Sequence, residues 1–176
     1  VKAVLGLFDD PYRGTDPVRE KAVIGSADHY ALAREAGVKS IVMLKNDNDL
    51  LPLPTSGQKI ALIGPFGADV DNIFGPWTIW GDPAHRISLE AGFRAALSNA
   101  EDLTVVAGSG IEAPVEGGID AAVAAAQAAD VVVLAIGESS NMSGEAQSRT
   151  RIDIPEPQRA LAEAVLPERI AVHAAD

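Results

Sequence analysis

The sequence predicts an α/β protein, a three-layer α/β/α sandwich with a mostly parallel sheet that is truncated after a few strands. The first observation is that short, continuous apolar runs, typical of buried strands, alternate with longer segments of helical periodicity. The second is that each apolar run ends at a glycine-containing loop. Such alternation produces βαβ units with right-handed crossovers, whose helices cover the sheet. Three predicted strands make a small sheet, and we expect an incomplete domain.

The chain before the first predicted strand contains no strand pattern of its own. Residues 1–27 carry turn signals and are predicted to be irregular. A helical pattern then runs from Asp28, the expected N-cap, to Asn46. An apolar, proline-containing connection and a glycine turn follow. We therefore divide the chain into two parts, 1–57 and 58–176.

The second part carries the alternating pattern. Its predicted strands are 59–64, 103–107 and 130–136, and its predicted helices are 88–99, 119–129 and 157–165. Ile170 and Val172 are candidates for a further strand. Ligands of parallel sheets bind at the carboxyl ends of the strands. We therefore expect function in the loops that follow the strands, which are 64–83, 108–118 and 137–154.

The composition excludes several functional classes. The net charge is −11 and the sequence pI is about 4.6, which argues against binding to nucleic acids or anionic membranes. There is no cysteine, and the three histidines are far apart, so neither a metal site nor another cofactor is predicted. No apolar run approaches the ~20 residues of a membrane span. The chain begins at Val1 without a signal-peptide pattern, and its cellular location stays open.

The loop after the third predicted strand is the first candidate for chemistry. It is rich in small polar residues and carries Glu138, Glu145 and Arg149. Ser143 and Gly144 favour an exposed turn that directs Glu145 away from the sheet. A glutamate on such a loop can act as a general acid when a partly apolar pocket favours its protonated form. The alternative is a solvated surface loop whose charges have no role, with Arg149 a charge at its rim.

The loop after the first predicted strand contains both tryptophans of the chain, Trp77 and Trp80, among glycines. Aromatic faces near the carboxyl end of a strand are natural platforms for the C–H faces of a pyranose ring. The alternative is that both side chains cover the edge of the core, because tryptophan is usually largely buried.

The loop after the second predicted strand offers a competing function, nucleotide binding. Residues 108–113 spell GxGxxA after a strand, and Glu138 follows the next strand, which resembles a dinucleotide fingerprint. However, Pro114 and the glycine pair at 117–118 prevent a helix from starting where the pyrophosphate needs its N-terminus. The acidic residue also comes later than the usual spacing of about 20 residues.

Several segments in order resemble a known family. They are residues 6–12, 33–36, 40–46, 51–53, 59–65, 129–134, 137–139 and 142–149. Together they resemble family 3 glycoside hydrolases of the β-glucosidase type, from residue 4 to about 165. The resemblance implies that 1–57 is the end of the catalytic barrel with the interdomain linker, and that 58–176 is part of the C-terminal α/β sandwich domain. After Val165 the sequence departs from the family pattern.

The resemblance also implies a two-domain active site. The family's nucleophile is a barrel aspartate, upstream of the residues of this chain, and its acid/base is a glutamate on a loop of the second domain. Glu145 matches that glutamate by its position in Ser143-Gly144-Glu145, and Glu138 is the fallback. Trp77 and Trp80 match a stretch that in some members lines the aglycone side of the pocket, although the stretch is one residue shorter in this chain.

These implications define the expected activity. The full-length protein is expected to be a retaining, exo-acting β-glucosidase that acts on β-linked glucosides or oligosaccharides. Ser143 and Arg149 join the tryptophans as candidate substrate-binding residues. The barrel is the expected partner, so the isolated chain should be inactive, and its open sheet edge favours oligomers. The alternative is a non-catalytic carbohydrate-binding or structural module that uses the tryptophan loop without chemistry.

Overall fold

The computed structural model describes residues 1–78 and 81–166. The chain forms two compact units, Val1–Pro52 and Leu53–Asp176. The predicted strand at Ile170 and Val172 lies outside the described residues. Within the described ranges, every helix is too short or too polar to cross a membrane.

The first unit contains two helices, α1 (Pro17–Val23) and α2 (Ala27–Ser40). The prediction that residues 1–27 are irregular is therefore wrong for α1. Asp16 caps this helix, because its carboxylate accepts hydrogen bonds from the backbone amides of Val18 and Arg19. Pro17 follows as the first helical residue, where its missing N–H costs nothing. The Asp-Pro pair is thus a helix start rather than a simple turn.

Helix α2 differs from the prediction at both ends. Its N-cap is Ser26, so Asp28 is not the cap but an acidic residue inside the first turn, where it faces the positive end of the helix dipole. The helix ends at Ser40, and the backbone of Ile41 is extended, so the predicted continuation to Asn46 is wrong. β-Branched residues favour extended backbone, and Ile41 and the next residue are both β-branched.

The first unit has no core of its own. None of its residues is buried, and a row of apolar side chains is largely exposed. Four of them follow one another in sequence, namely Ile41, Val42, Met43 and Leu44. Helices this short gain most of their stability from burying an apolar face against other elements. Residues 1–52 therefore lack the burial that would hold them folded.

We expect limited proteolysis of the isolated chain to begin within Val1–Pro52. Cleavage requires local opening, and segments with few buried apolar contacts open at low free-energy cost. Dilute trypsin should remove fragments ending at Arg34 or Lys39, while peptide bonds of the sheet and its covering helices survive. The check is mass spectrometry of the earliest products. First cuts inside the second unit, between Ile60 and Leu134, would contradict this ranking.

The described residues of the second unit form a parallel sheet of three strands, all of them at predicted positions. They are β1 (Ile60–Ile63), β2 (Leu103–Val106) and β3 (Val131–Leu134). Their order is β2-β1-β3, and Ile60 pairs with Leu103 on one side and with Val131 on the other. All four residues of β1 are buried, as expected for the central strand of a sheet with two covered faces.

In the described part of this unit, three helices cover the sheet: α3 (Leu89–Ala96), α4 (Gly118–Ala128) and α5 (Glu156–Val165). Ala61 and Ile63 pack in one cluster with buried residues of α4 and α5. Ile60 and Leu62 point to the opposite face and pack with Leu103 and with Phe93 of α3. Successive strand residues alternate between faces, so one short strand supplies both cores. The predicted α/β/α layering is confirmed.

Gly64 ends β1 and brings two strand ends into close contact. Its φ is +127°, and a Cβ at this position would lie 2.2 Å from the carbonyl oxygen of Ala135. Only glycine has both the required backbone conformation and the space. The amide of Phe66 then donates to the same Ala135 oxygen, at 3.2 Å. The loops after β1 and β3 therefore begin next to each other.

Candidate functional site

The loops that follow β1 and β3 meet at the carboxyl edge of the sheet. Since these strands are neighbours, their loops leave the sheet side by side. The backbone amide of Ser140 donates to Oδ1 of Asn72 at 2.8 Å, which joins the two loops directly. Asp69 orients Asn72: its carboxylate accepts from the backbone amide and from Nδ2 of Asn72, both at 2.9 Å.

The start of the loop after β3 is held by hydrogen bonds to the side chain of Gln158. This glutamine lies in the first turn of α5 and is fully buried. Its Oε1 accepts from the amide of Gly137 at 2.8 Å, and its Nε2 donates to the carbonyl of Gly137 at 2.9 Å. Nε2 also donates to the carbonyl of Ile111, at 2.8 Å. The side-chain amide thus pairs with both backbone groups of the residue before Glu138.

Glu138 forms an ion pair with Arg149 across the loop. Its Oε1 lies 2.9 Å from Nη1 of Arg149, and the two side chains are 38% and 27% exposed. Partly shielded pairs of this kind are stronger than fully exposed ones. Glu138 also borders a cleft of about 340 Å³ that is lined mainly by apolar side chains. The lining residues are Phe66, Asp69, Asn72, Ile73, Ile87, Leu89 and Glu138.

Arg149 holds the far end of the same loop through several contacts. Nη2 donates to the carbonyl of Asp153 at 3.0 Å, Nε donates to the carbonyl of Arg151 at 3.3 Å, and Nη1 lies 3.1 Å from Sδ of Met142. The guanidinium of Arg151 forms an ion pair with the Asp153 carboxylate. Hydrogen bonding by Arg151 lowers the pKa of Asp153, so this carboxyl is ionised at neutral pH. Arg149 is therefore engaged by groups of its own loop, including the Glu138 carboxylate, rather than being an isolated charge at the rim.

The middle of the loop after β3 contacts the loop after β1, which carries Trp77. Gly144 has a φ of +107°, and a Cβ there would lie 2.8 Å from Cβ of Pro76 and 3.9 Å from Cε2 of Trp77. A glycine is therefore required for both conformation and space. The turn that carries Glu145 thus contacts the segment that carries Trp77.

Glu145 is exposed at the top of this turn. Among the described residues, no hydrogen bond or ion pair engages its carboxylate, which contrasts with the paired carboxylate of Glu138. Ser143 is exposed beside it. The structure therefore distinguishes two carboxylates on one loop, one restrained at the base and one presented at the tip.

Trp77 does not cover the core, because 67% of its surface is exposed. The interpretation of this side chain as a core-edge residue is therefore wrong, and its aromatic face is available beside the Glu145 turn. The second candidate, Trp80, lies outside the described residues.

The loop after β2 does not adopt the backbone of a dinucleotide fingerprint. The amide of Gly110 donates to the carbonyl of Ala113 at 2.9 Å, and Ser109 pairs with Pro114 in an antiparallel bridge. The GxGxxA segment is therefore a tight hairpin, and α4 begins only at Gly118. A dinucleotide fingerprint requires the helix N-terminus at the glycines themselves. Within the described part of the chain, no group of three or more metal-ligating side chains is present.

Sequence reasoning missed the residues that hold the loop in place. Gln158, Asn72 and Asp69 were not predicted, although each fixes the loop or its partner. Their only sequence signal is that polar residues stand in or beside otherwise apolar elements. For Gln158, the signal is its place in a helix whose other inward residues, Leu161 and Val165, are aliphatic.

Fold and site together define a class: a parallel α/β domain whose carboxyl edge presents a carboxylate-bearing loop against an exposed aromatic side chain. The family model described as "Glycosyl hydrolase family 3 C-terminal domain" matches residues 41–172. The chain belongs to glycoside hydrolase family 3, whose named relatives are glycosidases.

Curated relatives and solved structures agree with this assignment. The chain is 35% identical to the periplasmic beta-glucosidase of Salmonella typhimurium over 92% of its own length and 24% of the relative's. It is 33% identical to a beta-xylosidase of Formosa agariphila, with coverages of 93% and 23%. The crystal structure of beta-glucosidase from Listeria innocua matches with a TM-score of 0.81 at 40% identity, covering 93% of this chain and 22% of that one.

The chain therefore spans about a quarter of the length of the relatives it matches. It corresponds to one part of these proteins rather than to a whole relative. The predicted division at residue 57 into barrel end and sandwich domain stays a prediction.

Proposed function

We propose that this chain supplies the acid/base loop of a retaining β-glucosidase, with Glu145 as the general acid and base. The nucleophile would be an aspartate on a barrel domain outside these residues. The observation that carries the proposal is the contrast between the two loop carboxylates. Among the described residues, Glu145 is unpaired and exposed at the tip, while Glu138 is engaged by Arg149 at the base.

The chemistry needs a carboxyl group that can reach a substrate on another domain. In a retaining glycosidase, one carboxylate attacks the anomeric carbon while the other protonates the leaving oxygen, and the second residue then activates water. A residue at the tip of a loop can enter a pocket formed by a neighbouring domain. A residue whose oxygen is held at the sheet edge cannot reach as far without breaking its ion pair.

Trp77 would form one wall of the same pocket. Its exposed ring stands next to the Glu145 turn and offers a face for the apolar side of a sugar ring or aglycone. Ser143 would donate a hydrogen bond to a substrate hydroxyl. Arg149 would serve the site by ordering the loop, since its nitrogens already contact loop acceptors.

The substrate proposed is a β-linked glucoside or oligosaccharide. The supporting observation is that two relatives, those of Salmonella typhimurium and Listeria innocua, are named beta-glucosidases. The relative of Formosa agariphila is named a beta-xylosidase, so β-xylosides are the competing substrate. The uncovered apolar side chains of residues 1–52 support a neighbouring domain that would cover them.

The test compares the chain with the full-length protein that carries it. We expect the full-length protein to hydrolyse 4-nitrophenyl β-glucoside faster than the β-xyloside, with retention of configuration. The isolated 176-residue chain should show no turnover of either. A single general acid contributes only about 10²- to 10⁴-fold, which is far less than a whole active site provides.

Two results would contradict the proposal. One is turnover by the purified chain that disappears when a carboxylate of this loop is mutated. The other is a full-length protein that binds glucosides without cleaving them, which would favour the non-catalytic carbohydrate-binding module.

A further inference from the structure

We infer that Gln158 is a positioning residue for the acid/base loop, an inference that rests on the proposed function. Its side chain fixes the point where the loop leaves the sheet. The geometry that carries the inference is the paired hydrogen bonding between this buried amide and the backbone of Gly137.

Almost all of the hydrogen-bonding capacity of the Gln158 side-chain amide is used. Both Nε2 hydrogens are donated, one to Gly137 and one to Ile111, and Oε1 accepts from Gly137. A side-chain amide that hydrogen-bonds to both the N–H and the C=O of one residue takes the place of a peptide group of a neighbouring strand. The backbone at Gly137 is therefore held as if the sheet continued there, although β3 ends at Leu134.

The element that carries Gln158 is packed into the core. Leu161 and Val165 of α5 are buried in the core formed with α4 and β1, and Leu161 packs closely under Gly108. A side chain on such a helix can therefore fix the loop relative to the core. Functional groups are best placed when packed elements and buried hydrogen bonds support them.

The hydrogen bonds of Gln158 hold the loop at the point that sets its direction. Gly137 immediately precedes Glu138, and the next tie is the Ser140 amide on Asn72. A change in backbone direction at Gly137 would rotate the whole turn that carries Glu145. Misplacement of a catalytic group by about 1 Å can lower the rate about 100-fold.

The experiment uses Gln158→Leu in the full-length protein, with Val165→Ala as the matched control. Both variants disturb the buried face of α5, but only the first removes hydrogen bonds to the loop. We expect Gln158→Leu to lower kcat for an alkyl glucoside about 10- to 100-fold, with little change in KM and a much smaller loss for a dinitrophenyl glucoside. Val165→Ala should leave both kcat values near wild type at a temperature where it is folded.

A second variant, Gln158→Glu, tests the donor directly. At neutral pH an ionised carboxylate would face the carbonyl oxygens of Gly137 and Ile111 and repel them. A protonated carboxyl would restore one donor while still accepting from the Gly137 amide. We therefore expect the activity of Gln158→Glu, relative to wild type at the same pH, to rise as the pH falls.

Hydrogen–deuterium exchange supplies a readout independent of activity. In Gln158→Leu, peptides covering 137–149 should exchange faster than in Val165→Ala, while peptides of β1 should not. Loop-specific exchange in a protein without glycosidase activity would keep the positioning role and overturn only the proposed function. Equal loop exchange in the two variants, or equal losses of kcat, would overturn the inference.

Discussion

On the proposed function, Glu145→Gln in the full-length protein is expected to abolish most hydrolysis of substrates with poor leaving groups. The leaving group of an alkyl glucoside or of cellobiose departs only when its oxygen is protonated, so kcat for these substrates should fall about 10²- to 10⁴-fold. Dinitrophenolate leaves without a proton, so formation of the glycosyl-enzyme from a dinitrophenyl glucoside should remain nearly as fast. The measurement is pre-steady-state release of dinitrophenol beside steady-state turnover of the alkyl glucoside.

The second step of the same variant should respond to azide. Glu145 would also act as the base that activates water against the glycosyl-enzyme, and this step is lost in Glu145→Gln. Azide attacks without a base, so its addition should accelerate turnover of the dinitrophenyl glucoside and yield a glucosyl azide. One residue that serves as acid and then as base predicts both effects together.

Glu138→Gln is the matched control, because the same substitution is made on the same loop. It removes the charge that pairs with Arg149, so we expect a smaller loss of activity without azide rescue. If the two variants exchange these behaviours, the acid/base is Glu138. If neither shows a dependence on the leaving group, this loop does not carry the acid/base.

Gly144→Ala should lower kcat about 100-fold without removing any functional group. The added Cβ would lie 2.8 Å from Cβ of Pro76, and the backbone at +107° resists any side chain. Relief of this contact requires the turn to lift from the tryptophan loop, which displaces Glu145. The loss should again be larger for the alkyl glucoside than for the dinitrophenyl glucoside.

Gly57→Ala provides the comparison for this variant. Gly57 also has a positive φ, +80°, but among the described residues, its chain neighbours aside, no atom lies within 4 Å of the position its Cβ would occupy. It should therefore lower the melting temperature slightly and leave kcat unchanged. Wild-type kcat in Gly144→Ala would show that contact between the two loops does not position Glu145.

The strands of the sheet and the ends of the helices were predicted with unequal success. Strands β1, β2 and β3 were found because short apolar runs that are rich in β-branched residues and bounded by glycine-containing loops are typical of buried strands. The ends of α2 were misplaced because apolar periodicity continues past Ser40 into extended backbone. Periodicity records which side chains are apolar, whereas the helix end depends on backbone angles.

By itself, the sequence determined the α/β class, the parallel sheet and the loop that carries Glu138 and Glu145. These follow from local pattern and from the order of segments, which one chain displays directly. The resemblance ranked Glu145 above Glu138, but only the tertiary structure showed that Glu138 pairs with Arg149 and that Gln158 anchors the loop, because these contacts join residues that are not neighbours in sequence. Contacts of this kind depend on how the loops pack over the sheet edge, and no local pattern encodes that packing.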